Sequence, residues 1–132
     1  MERVKSESNK RLIVKVKVND KDAYMLLDTG ASVGFFDINQ KKKFGLIEGK
    51  PYNGTLVGAG GEVQKVKYCN TMANIQGRSI PQFLLADISS VVKSVESETG
   101  IKILGIISLP QMKIAHIGID CDDMDIIIEK IN

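Results

Sequence analysis

Several features that mark common classes of protein are scarce or missing in this chain. It has no tryptophan, and only 5% of its 132 residues are aromatic, so stacking platforms for single-stranded nucleic acid are few. His116 is the only histidine and the two cysteines have no Cys-x-x-Cys spacing, which argues against a zinc site with four ligands. No apolar run is as long as a membrane span, and residues 1–11 lack the apolar segment of a signal peptide. We expect no nucleic acid, metal, cofactor or membrane span.

A large excess of charge is also missing. Eighteen basic and sixteen acidic residues give a formal charge of +2, too small to indicate a polyanionic partner. The run Lys41–Lys43 is more typical of a solvated helix face than of a nucleic-acid or lipid patch. Cys69 and Cys121 are compatible with two buried thiols or with one disulfide. The chain is expected to be soluble, its compartment is unknown, and a periplasmic or exported location would fit if a targeting segment had been removed ahead of residue 1.

The length and the ordinary globular composition indicate a single domain. Residues 1–10 are polar and are expected to form a disordered leader, which leaves residues 11–132 as the domain. No internal repeat is present.

Short alternating apolar segments predict a mainly β chain. Val14, Val16 and Val18 share one face of a strand that pairs, across a turn at Asn19–Asp22, with a second strand at Ala23–Leu27. The other predicted elements are a short helix capped by Asp37 and ended by Gly45, strands at Met72–Ile75 and Ile80–Ala86, a helix at Ser89–Thr99, a single helical turn at Ser108–Met112, and a closing hairpin of Ile114–Asp120 with Asp125–Glu129. The three consecutive isoleucines of the last strand indicate that it is central in its sheet or covered by a partner chain.

One stretch has the chemistry of a functional site. Leu26-Leu27-Asp28-Thr29-Gly30-Ala31-Ser32 delivers a carboxylate to the end of an apolar strand, with a hydroxyl and a glycine beside it. No convincing Ser/His/Asp set competes with it, since His116 lies in an apolar alternation typical of a structural histidine. Paired carboxylates are the remaining route to hydrolysis of an amide.

Two further stretches support that interpretation. The segment 56–63 has two short apolar arms around Gly58, Ala59, Gly60 and Gly61, which predicts a hairpin whose tip is either a flap over a ligand or an ordinary surface turn. Ile103-Leu104-Gly105 places two bulky apolar residues before a glycine, as close approach of another backbone requires.

Together these residues resemble the Asp-Thr-Gly-Ala-Ser signature and the hydrophobic-hydrophobic-Gly element of the retropepsin-like, single-domain aspartic proteases. The resemblance runs in order from about residue 12 to residue 129. It implies a closed or folded half-barrel with one or two short helices, in which Ile103, Leu104 and Gly105 thread beside the catalytic loop as a psi-shaped crossing. At 132 residues the chain is too short for two lobes, so the resemblance also implies a homodimer.

By resemblance, Asp28, Thr29 and Gly30 are the catalytic residues. Two Asp28 carboxylates at the dimer axis would activate a water for hydrolysis of a peptide or protein substrate, with Thr29 bonding across the axis. Substrate would contact the loop at Ala31 and Ser32, and the flap at Gly58, Ala59, Gly60 and Gly61. The protein would then be a hydrolase, an aspartic endopeptidase.

The chain departs from the family pattern in two places. After Ser32 the family usually has another small polar residue and an aliphatic pair, whereas this chain has Val33-Gly34-Phe35-Phe36. After Gly105 it often has an acidic residue, whereas this chain has Ile106-Ile107-Ser108. These departures motivate an alternative, a catalytically silent retropepsin-like domain that binds peptides or proteins. A β-rich domain in which Asp28 is structural is the third reading.

Overall fold

The computed structural model describes residues 1–54, 56–57 and 63–129. The strands are β1 Glu2–Lys5, β2 Ile13–Val18, β3 Lys21–Asp28, β4 Gly34–Asp37, β5 Glu48–Pro51, β6 Leu56–Val57, β7 Val63–Gln64, β8 Lys67–Cys69, β9 Ala73–Ile75, β10 Arg78–Ile80, β11 Phe83–Ala86, β12 Gly105–Ser108, β13 Ile117–Asp120 and β14 Asp125–Ile128. The helices are α1 Lys41–Phe44, α2 Ser89–Thr99 and α3 Leu109–Ile114, with a 3-10 turn at Ile38–Gln40 before α1.

Three sheets organise these strands. The largest has nine strands in the order β10-β9-β2-β3-β12-β4-β11-β8-β5, a second has the order β1-β14-β13, and β6 pairs with β7. The mainly β prediction is confirmed. The sheets are not closed into a barrel, because the end strands β10 and β5 do not pair with each other, and the described residues contain three helices rather than one or two.

The β2–β3 hairpin forms as the alternation predicts. Val14, Val16 and Val18 are buried on one face, and Asn19 and Asp20 form the turn with φ values of 50° and 65°. A two-residue hairpin turn with positive φ at both positions matches the strand twist and favours Asn and Asp. This hairpin brings β3, and therefore Asp28 at its end, to the middle of the nine-stranded sheet.

The predicted helices that end at Gly45 and at Thr99 both form, as α1 and α2. Helix α2 has the predicted bounds, ends at Gly100 with φ 78°, and packs Val92 and Val95 in the cluster that contains Ile13 and Leu26. Helix α1 ends at Gly45 with φ 65°. Asp37 accepts from the Asn39 amide, and Gln40 Nε2 donates to the Asp37 carboxylate at 3.2 Å. The Asp37 amide donates to the Leu104 carbonyl instead of to the Gln40 side chain, so no capping box forms there.

Two predicted boundaries near the site were wrong. Ile80–Ala86 is not one strand, because Pro81 has no amide hydrogen to donate and Gln82 has a φ of 70°, so the chain breaks between β10 and β11. The helix after Ser108 is longer than a single turn. Pro110 lies in its first turn, where the amide hydrogens have no intrahelical acceptor, so it does not shorten the helix.

The amino-terminal segment differs from the expected disordered leader. Glu2–Lys5 form β1 and pair antiparallel with β14, in register from Glu2 with Ile128 to Lys5 with Asp125. Ser6 is buried, and its hydroxyl accepts from the Ile13 amide at 3.0 Å. Strand β14 is therefore central in its sheet, one of the two predicted alternatives.

Arg3 joins β1 to the closing hairpin through three carboxylates. It is hydrogen-bonded to Asp120 and Asp125 and lies 3.8 Å from a carboxylate oxygen of Asp123. The bond from Arg3, followed by that from the Asp123 backbone amide, holds the pKa of the Asp120 carboxyl below its ordinary value. The ionised form of Asp120 is thus favoured by folding.

Asp120→Asn is expected to reduce the amount of unfolding free energy that the protein loses at acidic pH. Because the folded pKa is depressed, the contribution of Asp120 is present above its unfolded pKa of about 3.9 and is lost as pH falls through the lower folded value. Urea unfolding between about pH 7 and pH 2 should show a smaller loss of unfolding free energy on acidification in the variant. The control is Asp122→Asn, which removes an exposed carboxylate of the same turn; an equal effect of both substitutions would contradict the role of Arg3.

The described residues also settle two smaller points. Cys69 and Cys121 are both free thiols, so the disulfide alternative is wrong. Cys69 is buried but Cys121 is exposed, so the alternative of two buried thiols is right only for Cys69. None of the helices in the described part of the chain has the length and apolarity needed to cross a bilayer.

Candidate active site

Asp28 is the last residue of β3, at the point where the chain leaves the sheet. The buried residues Leu26 and Leu27 anchor the strand, and the Leu27 amide donates to the Leu12 carbonyl at 2.9 Å. Asp28 is half-buried, and Thr29 and Gly30 are exposed. The sequence therefore fixes the backbone ahead of the carboxylate while leaving the carboxylate accessible.

The loop after Asp28 is held by its own hydrogen bonds. The Gly30 amide donates to Asp28 Oδ1 at 2.9 Å, and the Ala31 amide donates to the Asp28 carbonyl at 3.2 Å. A Cβ atom on Gly30 would lie 3.3 Å from Asp28 Oδ1, which is a tight contact. Ala31 is half-buried and Ser32 is exposed, so the loop presents residues 29, 30 and 32 to solvent.

Strand β12 runs through the centre of the site. It begins at Gly105 and pairs parallel with β3 and antiparallel with β4. The Leu104 amide donates to the Tyr24 carbonyl at 2.7 Å, and the Leu104 carbonyl accepts from the Asp37 amide at 2.9 Å. A Cβ atom on Gly105 would lie 2.0 Å from the Phe35 carbonyl oxygen, so the crossing requires glycine.

The structure places Ser108, rather than Gly105, beside the candidate catalytic residue. In the parallel register Gly105 is opposite Met25, and Ser108 is opposite Asp28. The Leu109 amide, the next in the chain, donates to the Ala31 carbonyl at 3.3 Å. Strand β12 thus supports Asp28 through its far end.

The predicted flap residues Gly58, Ala59, Gly60 and Gly61 lie outside the described residues. The strands on either side, β6 and β7, pair antiparallel, with Leu56 opposite Gln64 and Val57 opposite Val63. The two arms of the predicted hairpin are therefore present.

A cavity of about 320 Å³ begins at the loop after Asp28 and extends toward Tyr52 and Tyr68, which lie before and after the predicted flap in the chain. Tyr52 and Tyr68, which contact each other edge to face with ring centroids 5.6 Å apart, form one wall. Its lining residues are uncharged: Ser32, Val33, Gly34, Tyr52, Tyr68, Gln82, Leu84, Ser108, Pro110 and Gln111. An apolar side chain next to the loop would fit this lining better than a charged one.

A larger cavity of about 520 Å³ is not part of this site. Its lining includes Asp22, Ala23 and Tyr24 at the opposite end of β3 from Asp28. Four or more strand residues separate the two places, which is roughly 13 Å at the rise of a β-strand.

Sequence reasoning missed two residues beneath the loop, Ser108 and Gln111. They form a capping box at the start of α3, in which the Ser108 hydroxyl accepts from the Gln111 amide and the Gln111 side chain accepts from the Ser108 amide. The Ser-x-x-Gln spacing was the available signal. Both side chains are buried, with 1% and 5% of their surface exposed.

A protein-family model and solved structures both match this chain. The sequence model of a family described as aspartyl protease matches residues 14–108, from the first strand of the β2–β3 hairpin to the end of β12. The chain belongs to this aspartyl protease family. No match is found among curated proteins.

Solved structures show the same fold. The retroviral protease-like domain of Ddi1 from Leishmania major superposes with a TM-score of 0.59 at 20% identity, over 92% of this chain and 90% of that one. EIAV protease, in complex with the inhibitor HBY-793, gives 0.57 at 23% identity, over 83% and 92%. A retropepsin-like aspartic protease from Rickettsia conorii gives 0.58 at 16% identity, over 95% and 87%. The chain has the retropepsin-like fold.

Proposed function

We propose that the protein is an aspartic endopeptidase that hydrolyses peptide bonds as a homodimer. The observation that carries the proposal is the setting of Asp28, a half-buried residue at the end of a strand anchored by buried Leu26 and Leu27, beside a close strand crossing that only glycine at residue 105 permits.

A second copy is needed because one chain supplies half of the chemistry. Among the described residues, Gly30 is the hydrogen-bond donor to the Asp28 carboxylate, and no second carboxylate pairs with it. Two Asp28 side chains related by a twofold axis would share one proton, since carboxylates about 3 Å apart cannot both ionise. The ionised member would take a proton from water as it attacks the carbonyl, and the protonated member would donate to the carbonyl oxygen.

The neighbouring residues have supporting roles in this proposal. Thr29 is exposed next to Asp28 and would bond across the axis, and Gly30 would keep the approach to the carboxylate open. Ala31 and Ser32 would contact the substrate backbone, with residues 58–61 closing over it as a flap. The uncharged cavity beside Ser32 would take an apolar side chain of the substrate.

The first test is whether assembly and cleavage change together with protein concentration. We expect sedimentation at neutral and acidic pH to show a monomer that converts to a dimer as concentration rises. Cleavage of an unfolded protein per mole of chain should rise over the same range and then level off, because only the dimer has two carboxylates.

Two results would contradict the proposal. Cleavage per chain that stays constant while the protein remains monomeric would exclude a shared site. A dimer that binds unfolded protein but never cleaves it would instead favour the silent peptide-binding domain, which the altered residues after Ser32 and Gly105 suggest.

A further inference from the structure

Gln111 is a buried amide with partners at both ends. Its Oε1 accepts from the backbone amide of Ser108 at 2.9 Å and from the Ser108 hydroxyl at 3.0 Å. Its Nε2 donates to the carbonyl of Pro81 at 2.8 Å and to that of Gln82 at 3.5 Å. A buried polar group is costly when unpaired, so this set of bonds fixes the orientation of the side chain.

The same amide fills the space beside Gly34. A Cβ atom on Gly34 would lie 2.0 Å from Gln111 Oε1, 2.6 Å from its Cδ and 2.8 Å from its Nε2. A side chain at residue 34 and the amide of Gln111 therefore exclude each other. Gly34 lies in the stretch Val33–Phe36, where the chain departs from the family pattern, and its missing side chain leaves the space that the Gln111 amide fills.

The bonds of Gln111 lead to the catalytic loop through Ser108. Ser108 is opposite Asp28 in the parallel pairing of β12 with β3, and the next amide, that of Leu109, donates to the Ala31 carbonyl. Gln111 also joins this point to the segment between β10 and β11, at Pro81. One side chain thus ties the end of β12 to the segment between β10 and β11.

We propose that Gln111 is a positioning residue for Asp28, acting from helix α3 through Ser108 and occupying the space that Gly34 leaves open. The structural part of this inference, that Gln111 and Gly34 together hold the loop of residues 28–32, stands on the contacts above. Its consequence for hydrolysis rests on the proposed function.

The structural part is tested by hydrogen exchange in Gln111→Ala. We expect the amides of Ala31 and Leu109, neither of which bonds to Gln111, to exchange about tenfold faster or more, beyond any change common to the whole chain. The matched control is Gln40→Ala. Gln40 is also a buried glutamine whose side chain donates to a backbone carbonyl. That carbonyl belongs to Ile103, which precedes β12, whereas Ser108 is the last residue of β12. In the control, the amides of Ala31 and Leu109 should exchange at their wild-type rates relative to the rest of the chain.

The steric exclusion between a side chain at residue 34 and the Gln111 amide is tested by a double-mutant cycle. The quantity measured is the urea concentration at the midpoint of unfolding. Gly34→Ser alone should lower the midpoint strongly, because the new side chain meets the Gln111 amide. The same change in the Gln111→Ala background should lower it much less or raise it, and should slow the exchange at Ala31 again. Equal effects of Gly34→Ser in both backgrounds would overturn the exclusion.

The catalytic consequence is tested on a cleaved peptide. Gln111→Ala should lower kcat by about tenfold while KM changes by less than about threefold, and Gly34→Ser with Gln111→Ala should recover part of kcat. An unchanged kcat, or an equal loss in Gln40→Ala, would overturn the positioning role. If the wild-type protein cleaves nothing, the proposed function is wrong, and the exchange at Ala31 and Leu109 still decides whether Gln111 holds the loop.

Discussion

Replacing Asp28 with asparagine is expected to abolish peptide cleavage, lowering kcat by about a thousandfold or more. An amide can neither take a proton from the attacking water nor share one with a second carboxylate. The loop should keep its shape, because an asparagine Oδ1 can accept the bond from the Gly30 amide as Asp28 Oδ1 does. The measurement is kcat on an unfolded protein or peptide, with circular dichroism and sedimentation to show that fold and assembly are retained.

The control for this substitution is Asp20→Asn at the other end of the β2–β3 hairpin. Asp20 has a φ of 65° in the turn, a conformation that asparagine also adopts readily, so stability and cleavage should stay near wild-type values. Cleavage that survives in the Asp28 variant would refute the carboxylate mechanism.

The same variant also tests whether the site is shared between two copies. Adding excess Asp28→Asn protein to the wild-type protein should lower its activity, because mixed dimers hold one carboxylate instead of two. An activity that stays proportional to the wild-type protein, whatever the amount of variant, would show that each chain works alone.

Gly105→Ala is expected to destabilise the fold by about 3 kcal/mol or more. The added Cβ would lie 2.0 Å from the Phe35 carbonyl oxygen and 3.0 Å from the Met25 side chain. The first of these is a backbone atom, which cannot move away unless β12 separates from β4. Urea unfolding, or the loss of native circular dichroism if the variant does not fold, measures the effect.

Gly118→Ala is the matched control for that change. Gly118 is also in a strand, β13, but its added Cβ would lie 3.8 Å from the Ile127 Cβ, an ordinary contact. Its unfolding free energy should stay within about 0.5 kcal/mol of the wild-type value. Similar losses at residues 105 and 118 would contradict the close crossing.

The parts of the fold that could be predicted from sequence are those set by neighbouring residues. The β2–β3 hairpin follows from alternation and from an Asn-Asp turn, and α2 follows from its valines and from Gly100. Asp28 and Gly105 were singled out by local chemistry, and the structure places both on the adjacent strands β3 and β12.

The missed features depend on contacts between distant parts of the chain. Residues 2–5 are polar and resemble a leader, and only their pairing with residues 125–128 makes them a strand. Likewise, nothing local to Gly34 indicates that an amide from residue 111 fills the space beside it. The Ser-x-x-Gln spacing predicts a helix start, but not that this start lies opposite Asp28.

The place of β14 between β1 and β13 has a consequence for how activity could be controlled. Both edges of β14 are already paired within one chain, so its backbone needs no partner to be satisfied. The backbone hydrogen bonds of this strand therefore do not depend on association with a second chain. If two copies complete the site, the local abundance of the protein would act as the trigger for cleavage, with dilution returning it to a dormant state without unfolding.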